Sequence, residues 1–191
     1  DDHVAGDLGN DELDGGTGND ILYGGAGNDV IGTGTGDDTV FAGAGSDRLT
    51  ADNSATGDKL VYMDKGQDEV AIAGTSGSHA VHLGDGNDYA DLDANSGDIM
   101  VLGESGNDTI EAQNSGADTL DGGEDDDVLR VRDGATGEKT LIGGNGEDGI
   151  WIDDASGSSG KLNSLPNTIV SVDAAGRDDI VGYSRCLSIL D

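Results

Sequence analysis

The chain has 191 residues, of which 35 are Gly, one is Pro and 3% are aromatic, with 40 Asp plus Glu against nine Lys plus Arg and a formal charge of −31. That excess of carboxylates excludes partners recognised through phosphates, so neither DNA or RNA nor an anionic membrane surface is expected. With so few large apolar groups the composition is that of a self-repelling disordered chain, unless a regular pattern and bound cations override it.

A regular pattern begins near the start. From Gly15 the chain reads GGTGNDILY, GGAGNDVIG and TGTGDDTVF, three consecutive copies of one nine-residue unit. Each copy has a glycine-rich turn that ends in Asp20, Asp29 or Asp38, and two positions later an aliphatic residue, Leu22, Ile31 or Val40. The phase extends outward to Asp11 with Leu13 and to Asp47 with Leu49. Tandem repetition of G-G-x-G-x-D-x-U-x is the signature of a calcium-binding parallel β-helix. The chemistry agrees. Glycine reaches positive φ without a Cβ penalty, so such a turn can aim its carbonyls inward. A hard cation takes about 6–8 oxygens, more than one turn offers, so two stacked turns are needed. The residues after the aspartate form a short strand whose single aliphatic side chain faces the core.

Beyond residue 50 the spacing lengthens to about ten, through Asp58, Asp68, Ser78, Asp88, Asp98, Asp108, Asp118, Asp127, Glu138 and Asp148. Two residues after each come the expected inward positions, Leu60, Val70, Ala80, Ala90, Met100, Ile110, Leu120, Leu129, Thr140 and Ile150. The units alternate in kind. Those ending at Asp68, Asp88, Asp108, Asp127 and Asp148 keep the acidic, glycine-bearing turn, whereas ATGD, TSGS, NSGD, NSGAD and ATGE close with Ser or Thr and Gly. The period is therefore about twenty residues, a coil with two strands and two unlike edges, one of them a calcium edge. At the other, hydroxyls satisfy their own turn, and Asp58, Asp98, Asp118 and Glu138 are polar turn residues rather than ligands. A second apolar residue often follows two places on, at Tyr62, Ile72, Leu92, Leu102, Val131, Ile142 and Ile152. Period-two alternation puts it on the same face, so these coils bury two side chains per strand and depend less on calcium.

The remaining residues carry weaker signals. His3, His79 and His82 have no metal or triad spacing and read as surface or strand residues; Tyr62 and Trp151 read as solenoid packing. After Ile152 the pattern decays, and 161–191, with the one proline, reads as a degenerate last coil and cap. Cys186 cannot close an internal disulfide, and no 18-residue apolar run predicts membrane insertion. The chain begins Asp-Asp-His without a signal peptide and reads as a piece of a longer protein. The expected division is 1–50 as the nonamer section, 51–160 as a continuous solenoid, and 161–191 as the end.

The nonamers resemble those of the RTX, or repeats-in-toxin, family of bacterial exported proteins, closely over 6–50 and more loosely over 51–152. The resemblance implies an all-β parallel β-roll or solenoid, with 18-residue turns that become coils of about 20 residues, and several Ca2+ ions between stacked turns. By that likeness the ligands are Asp11, Asp20, Asp29, Asp38 and Asp47, with carbonyls at Gly16, Gly18, Gly25, Gly27, Gly34, Gly36, Gly43 and Gly45. Asp68, Asp88, Asp108, Asp127 and Asp148 extend the set. Stacking pairs Asp11 with Asp29, Asp20 with Asp38, and Asp29 with Asp47. Asp7 and Ala42 depart from the pattern by replacing glycines, and ADNSAT at 51–56 lacks glycine altogether.

The resemblance further implies type I secretion and a site of action outside the cell or at the bacterial surface. It implies a non-catalytic module that folds on calcium after export within a larger secreted protein. Two alternatives stay open: a rigid spacer or lattice segment of a surface adhesin or surface-layer protein, and an accessory module of a polysaccharide-modifying enzyme. The corresponding partners are a cell surface and an acidic polysaccharide. The basic residues are too scattered to suggest a catalytic face.

Overall fold

Short strands punctuated by turns at a constant interval pair best with the copies of themselves one coil away, and the whole fold follows from that. The structure is a computed structural model that describes residues 1–51, 55–73, 76–93, 97–132, 135, 137–152, 169–171, 179–181 and 188–190. Cys186, Pro166 and most of the 161–191 section lie outside the described residues.

In chain order the strands are β1 (His3–Leu8), β2 (Glu12–Asp14), β3 (Ile21–Ala26), β4 (Val30–Gly32), β5 (Asp38–Ala44), β6 (Arg48–Ala51), β7 (Lys59–Lys65), β8 (Glu69–Ala73), β9 (His79–Asp85) and β10 (Tyr89–Asp93). They continue as β11 (Ile99–Ser105), β12 (Thr109–Gln113), β13 (Asp118–Glu124), β14 (Val128–Val131), β15 (Lys139–Asn145), β16 (Gly149–Ile152), β17 (Ile169–Ser171), β18 (Asp179–Val181) and β19 (Ser188–Leu190). Odd-numbered strands form a ten-stranded sheet and even-numbered strands a nine-stranded sheet. Every pairing is parallel and joins a strand to its counterpart one coil away, so the molecule is an all-β parallel solenoid. Among the described residues no helix is long and apolar enough to cross a membrane. The turns pair from coil to coil as the strands do: Gly27 N–H donates to Ala44 O and Gly45 N–H to Lys65 O, each at 2.8 Å.

The core lies between the two sheets. In the first coils it is one aliphatic residue per strand, Leu13, Leu22, Ile31, Val40 and Leu49, all buried. From β7 onward most strands bury two, as in Val61 with Met63, Val70 with Ile72, Val81 with Leu83 and Ala90 with Leu92. Each additional large side chain contributes about 1.5–3 kcal/mol, which offsets the low apolar content elsewhere.

On the odd-numbered sheet Leu22, Val40 and Leu120 face inward as expected, but Leu60, Ala80, Met100 and Thr140 do not. Val40 pairs in register with Val61, not with Leu60, and the row continues through Val81, Val101, Leu120 and Leu141. Leu60 is 36% exposed and Met100 41%, while Val61 is fully buried. Tyr62, Leu102 and Ile142 likewise face outward and are only partly covered. The cause is a shift of one residue, and because side chains alternate, one residue exchanges the two faces of a strand. The even-numbered sheet keeps the expected row of Leu13, Ile31, Leu49, Val70, Ala90, Ile110, Leu129 and Ile150.

The displaced residues build an outer surface. Tyr23, Phe41, Tyr62 and His82 stack on one another with ring centroids 5.2, 5.2 and 4.6 Å apart. The rings cover one another along the row, which makes it packing on the outer face of the sheet.

Candidate metal centre

In the first coils the two edges of the solenoid are built from the same glycine-rich turn, and the first edge, between odd and even strands, carries a continuous column of aspartates. Asp11, Asp29, Asp47, Asp68, Asp88, Asp108, Asp127 and Asp148 stand one above another. Each Oδ1 after the first accepts the backbone N–H of the aspartate in the preceding coil, at 2.7–2.9 Å. From Asp29 onward these side chains are buried. Oδ2 of Asp11, Asp29, Asp47, Asp68, Asp88, Asp108 and Asp127 is also buried and accepts no hydrogen bond.

An anionic oxygen in that state is costly unless a cation completes it. The surroundings fit a hard cation. A Cβ on Gly24 would touch both Asp29 Oδ2 and Ala42 O of the next coil, and one on Gly103 both Asp108 Oδ2 and Gly122 O. A carboxylate oxygen and a carbonyl oxygen of successive coils thus converge on one point, the donor set that calcium prefers. Among the described residues no three or more His, Cys, Asp or Glu side chains gather into a metal cluster. The donors are one carboxylate per coil with backbone carbonyls making up the rest.

The turn glycines are necessary for two reasons. Gly16, Gly18, Gly25, Gly27, Gly34, Gly36, Gly43 and Gly45 all have φ between 73° and 144°. A Cβ on Gly27 would fall on Gly9 O, and one on Gly45 on Gly27 O, so larger residues would also separate the coils. Asp7 stands in register with Gly25 and takes the same left-handed backbone at φ 71°; Asp64 and Glu104 do so at 67° and 75°. Ala42, which replaces a first glycine, is fully buried instead.

Burial raises the carboxyls in the middle of this column, from Asp47 to Asp127. It pushes Asp68, Asp88, Asp108 and Asp127 up to about 7, 6, 8 and 7, against the lowering effect of the N–H each accepts. Neighbouring carboxylates, Asp64 beside Asp68 and Asp125 beside Asp108 and Asp127, push the same way. A divalent cation would reverse that balance.

Position by position, the second edge is different. Asp20 Oδ1 accepts from Asp2 N–H at 2.6 Å and Asp38 Oδ1 from Asp20 N–H at 2.9 Å, with Asp20 Oδ2 buried and without a hydrogen bond. Asp38 Oδ2, however, lies 2.7 Å from Lys59 Nζ. Asp58 and Asp98 are outward turn residues, as expected, and their Oδ1 atoms accept N–H groups of the next coil from Ser78 and Ala117, both at 2.8 Å. Asp118 is a correction: it is buried at the inward position, with Oδ2 2.8 Å from Lys139 Nζ. His79 is a strand residue, as expected, and it is buried, with Nδ1 accepting Lys59 N–H at 3.1 Å. Burial, and then the Lys59 charge, lowers its pKa to about 4, so the imidazole is neutral.

An ionic cluster on the outer face of the even-numbered sheet escaped the sequence reading. Arg132 pairs with Asp91, with Asp93 at 2.8 Å and with Glu111 at 3.5 Å, while Arg130 reaches Glu111 at 3.5 Å and Tyr89 donates to Glu111 at 3.3 Å. Asp91, Glu111 and Arg130 are in register across β10, β12 and β14, so the twenty-residue period was the available signal.

A stacked column of buried carboxylates and inward carbonyls on a parallel solenoid defines a calcium-binding β-roll module. The RTX calcium-binding nonapeptide repeat matches at four places, residues 1–31, 32–55, 93–129 and 102–137, together just over half of the chain. The chain belongs to that family of RTX repeats, and its cofactor is Ca2+. It is also similar to the X-ray crystal structure of a hyperactive, Ca2+-dependent, β-helical antifreeze protein from an Antarctic bacterium, with 21% identity over 96% of this chain and 70% of that one and a TM-score of 0.41. No curated protein matches the chain.

Proposed function

We propose that the chain is an extracellular folding module, exported as an expanded polyanion and coiled by calcium outside the cell, within a larger secreted protein whose activity, where it has one, resides elsewhere. The observation that carries this reading is the column of buried aspartates on the first edge, from Asp29 to Asp127, whose Oδ2 atoms accept no hydrogen bond. Ions that bind only the folded chain add their binding free energy to folding, and coils that contact only their neighbours fold cooperatively. The ligand set we propose is Asp11, Asp29, Asp47, Asp68, Asp88, Asp108, Asp127 and Asp148 on the first edge and Asp20 on the second, with carbonyls from the turn glycines between them; Asp38, stacked on Asp20, turns its Oδ2 to Lys59 instead.

The doubled apolar row of β7 to β16 favours a second reading, a stiff spacer in a surface protein. Far-UV circular dichroism during a calcium titration from chelator upward separates the two. A cooperative coil-to-β transition near millimolar calcium, absent with magnesium, is expected for the folding module. A β spectrum complete in chelator would leave the spacer.

A further inference from the structure

The second edge keeps its cation-binding geometry where its carboxylates stop. Register carries the ligand position from Asp38 to Lys59, His79 and Ile99, and from Asp118 to Lys139. Lys59 and Lys139 have fully buried side chains. A buried ammonium is tolerated only when oxygens take all of its protons. Lys59 Nζ donates to Asp38 Oδ2 at 2.7 Å, to Thr56 O at 2.7 Å and to Gly36 O, drawing oxygens from two successive coils. Lys139 repeats the arrangement with Asp118 Oδ2 at 2.8 Å and Gly116 O. Gly36 and Gly116 are the turn glycines two residues before Asp38 and Asp118. Each ammonium is therefore held by the carboxylate and turn carbonyl of the preceding coil, the oxygens that an ion between those coils would use.

We infer that Lys59 and Lys139 are tethered cations standing in the positions of metal ions, so that the second edge beyond Asp38 is closed by ammonium groups and refuses calcium. The inference rests on the proposed calcium reading of the same turns. Between the lysines the edge needs no charge. His79, neutral, uses Nδ1 as an aspartate uses Oδ1, and Ile99 is buried as core. Calcium then binds along the first edge and at Asp20, while 59–152 holds its second edge without an ion.

The test counts calcium ions by native mass spectrometry and titration calorimetry on the full chain and on the Lys59→Asp and Lys139→Asp variants. Acetylation of the wild-type lysines is followed alongside in calcium. Each variant is expected to bind one more calcium than wild type, because it restores an aspartate pair with Asp38 or Asp118. Lys59 and Lys139 are expected to react on the order of tenfold or more slowly than exposed Lys65, since labelling requires opening. Unchanged calcium counts in folded variants, or labelling at the rate of Lys65, would overturn the inference. If the variants fail to fold, the wild-type labelling alone decides. A wild-type chain that binds no calcium would instead overturn the reading on which the inference rests.

Discussion

The carboxylates of this chain divide by what their second oxygen meets. In Asp38 and Asp118 it meets an ammonium; in Asp29, Asp47, Asp68, Asp88, Asp108 and Asp127 it is buried without a hydrogen bond. Asp108→Asn separates the two functions of such a residue. The amide keeps an oxygen for Asp88 N–H but removes the anionic ligand. Calcium stoichiometry should fall by at least one ion, and the calcium midpoint of folding should rise. In chelator the same variant should be more stable by about 1–3 kcal/mol, the cost of leaving a buried polar group unsatisfied. Calorimetry and denaturant titration with and without calcium check both halves. A second local effect comes from Asp64, whose φ of 67° lies where glycine is at ease and whose charge adds to that of Asp68. Asp64→Gly should stabilise the chain by about 1 kcal/mol, measured by the denaturant midpoint in chelator.

Within each strand, the boundary between core and surface is set by one residue of phase. The two methionines test it directly, because Met63 on β7 is fully buried and Met100 on β11 is 41% exposed. Met63→Ala should cost about 2–5 kcal/mol as a core cavity, and Met100→Ala should stay within about 0.5 kcal/mol. Counting from the acids places Met100 inward. Counting from the glycine gives the observed register. In Gly18-Asn19-Asp20 and Gly36-Asp37-Asp38 the inward residue stands two after the glycine, and Gly57-Asp58-Lys59, Gly77-Ser78-His79 and Gly97-Asp98-Ile99 follow the same rule. The acid in ATGD and NSGD is the outward residue of the turn. Glycine is the better marker because on the second edge it keeps its place two residues before the inward position, while the inward side chain changes from anion to cation to hydrocarbon.

Across the whole molecule, charge and burial oppose each other, and pH shifts the balance. The carboxyls of Asp68, Asp88, Asp108 and Asp127 stand at about 7, 6, 8 and 7 in the folded chain, above the ordinary value of 3.8. In the metal-free protein the folded state therefore binds more protons than the unfolded one between those values. Its stability is present in full below the ordinary carboxylate range and is lost as pH rises from about 4 to 8. Chelated protein should thus gain β structure on acidification from pH 8 to pH 5, and calcium should abolish that dependence, as followed by circular dichroism. The distribution of dependence along the axis is uneven. The RTX repeat matches on both sides of residues 56–92, where Met63 and Leu83 fill inward positions held by glycines at Gly24 and Gly103. Hydrogen exchange in chelator should show residues 59–92 protected longest.

Much of this was legible in the residues alone. The repeat, its two lengths, the parallel coil and the first-edge aspartates follow from local rules, since a turn that needs positive φ announces itself by glycine and a strand with one dry face by its aliphatic period. Register on the odd-numbered sheet, the burial of Asp118 and His79, and the lysines at the ligand position became visible only in three dimensions. Each depends on what lies one coil away, about twenty residues distant in sequence, and a cation's place between coils can be taken by an ion or by a lysine on the neighbouring strand.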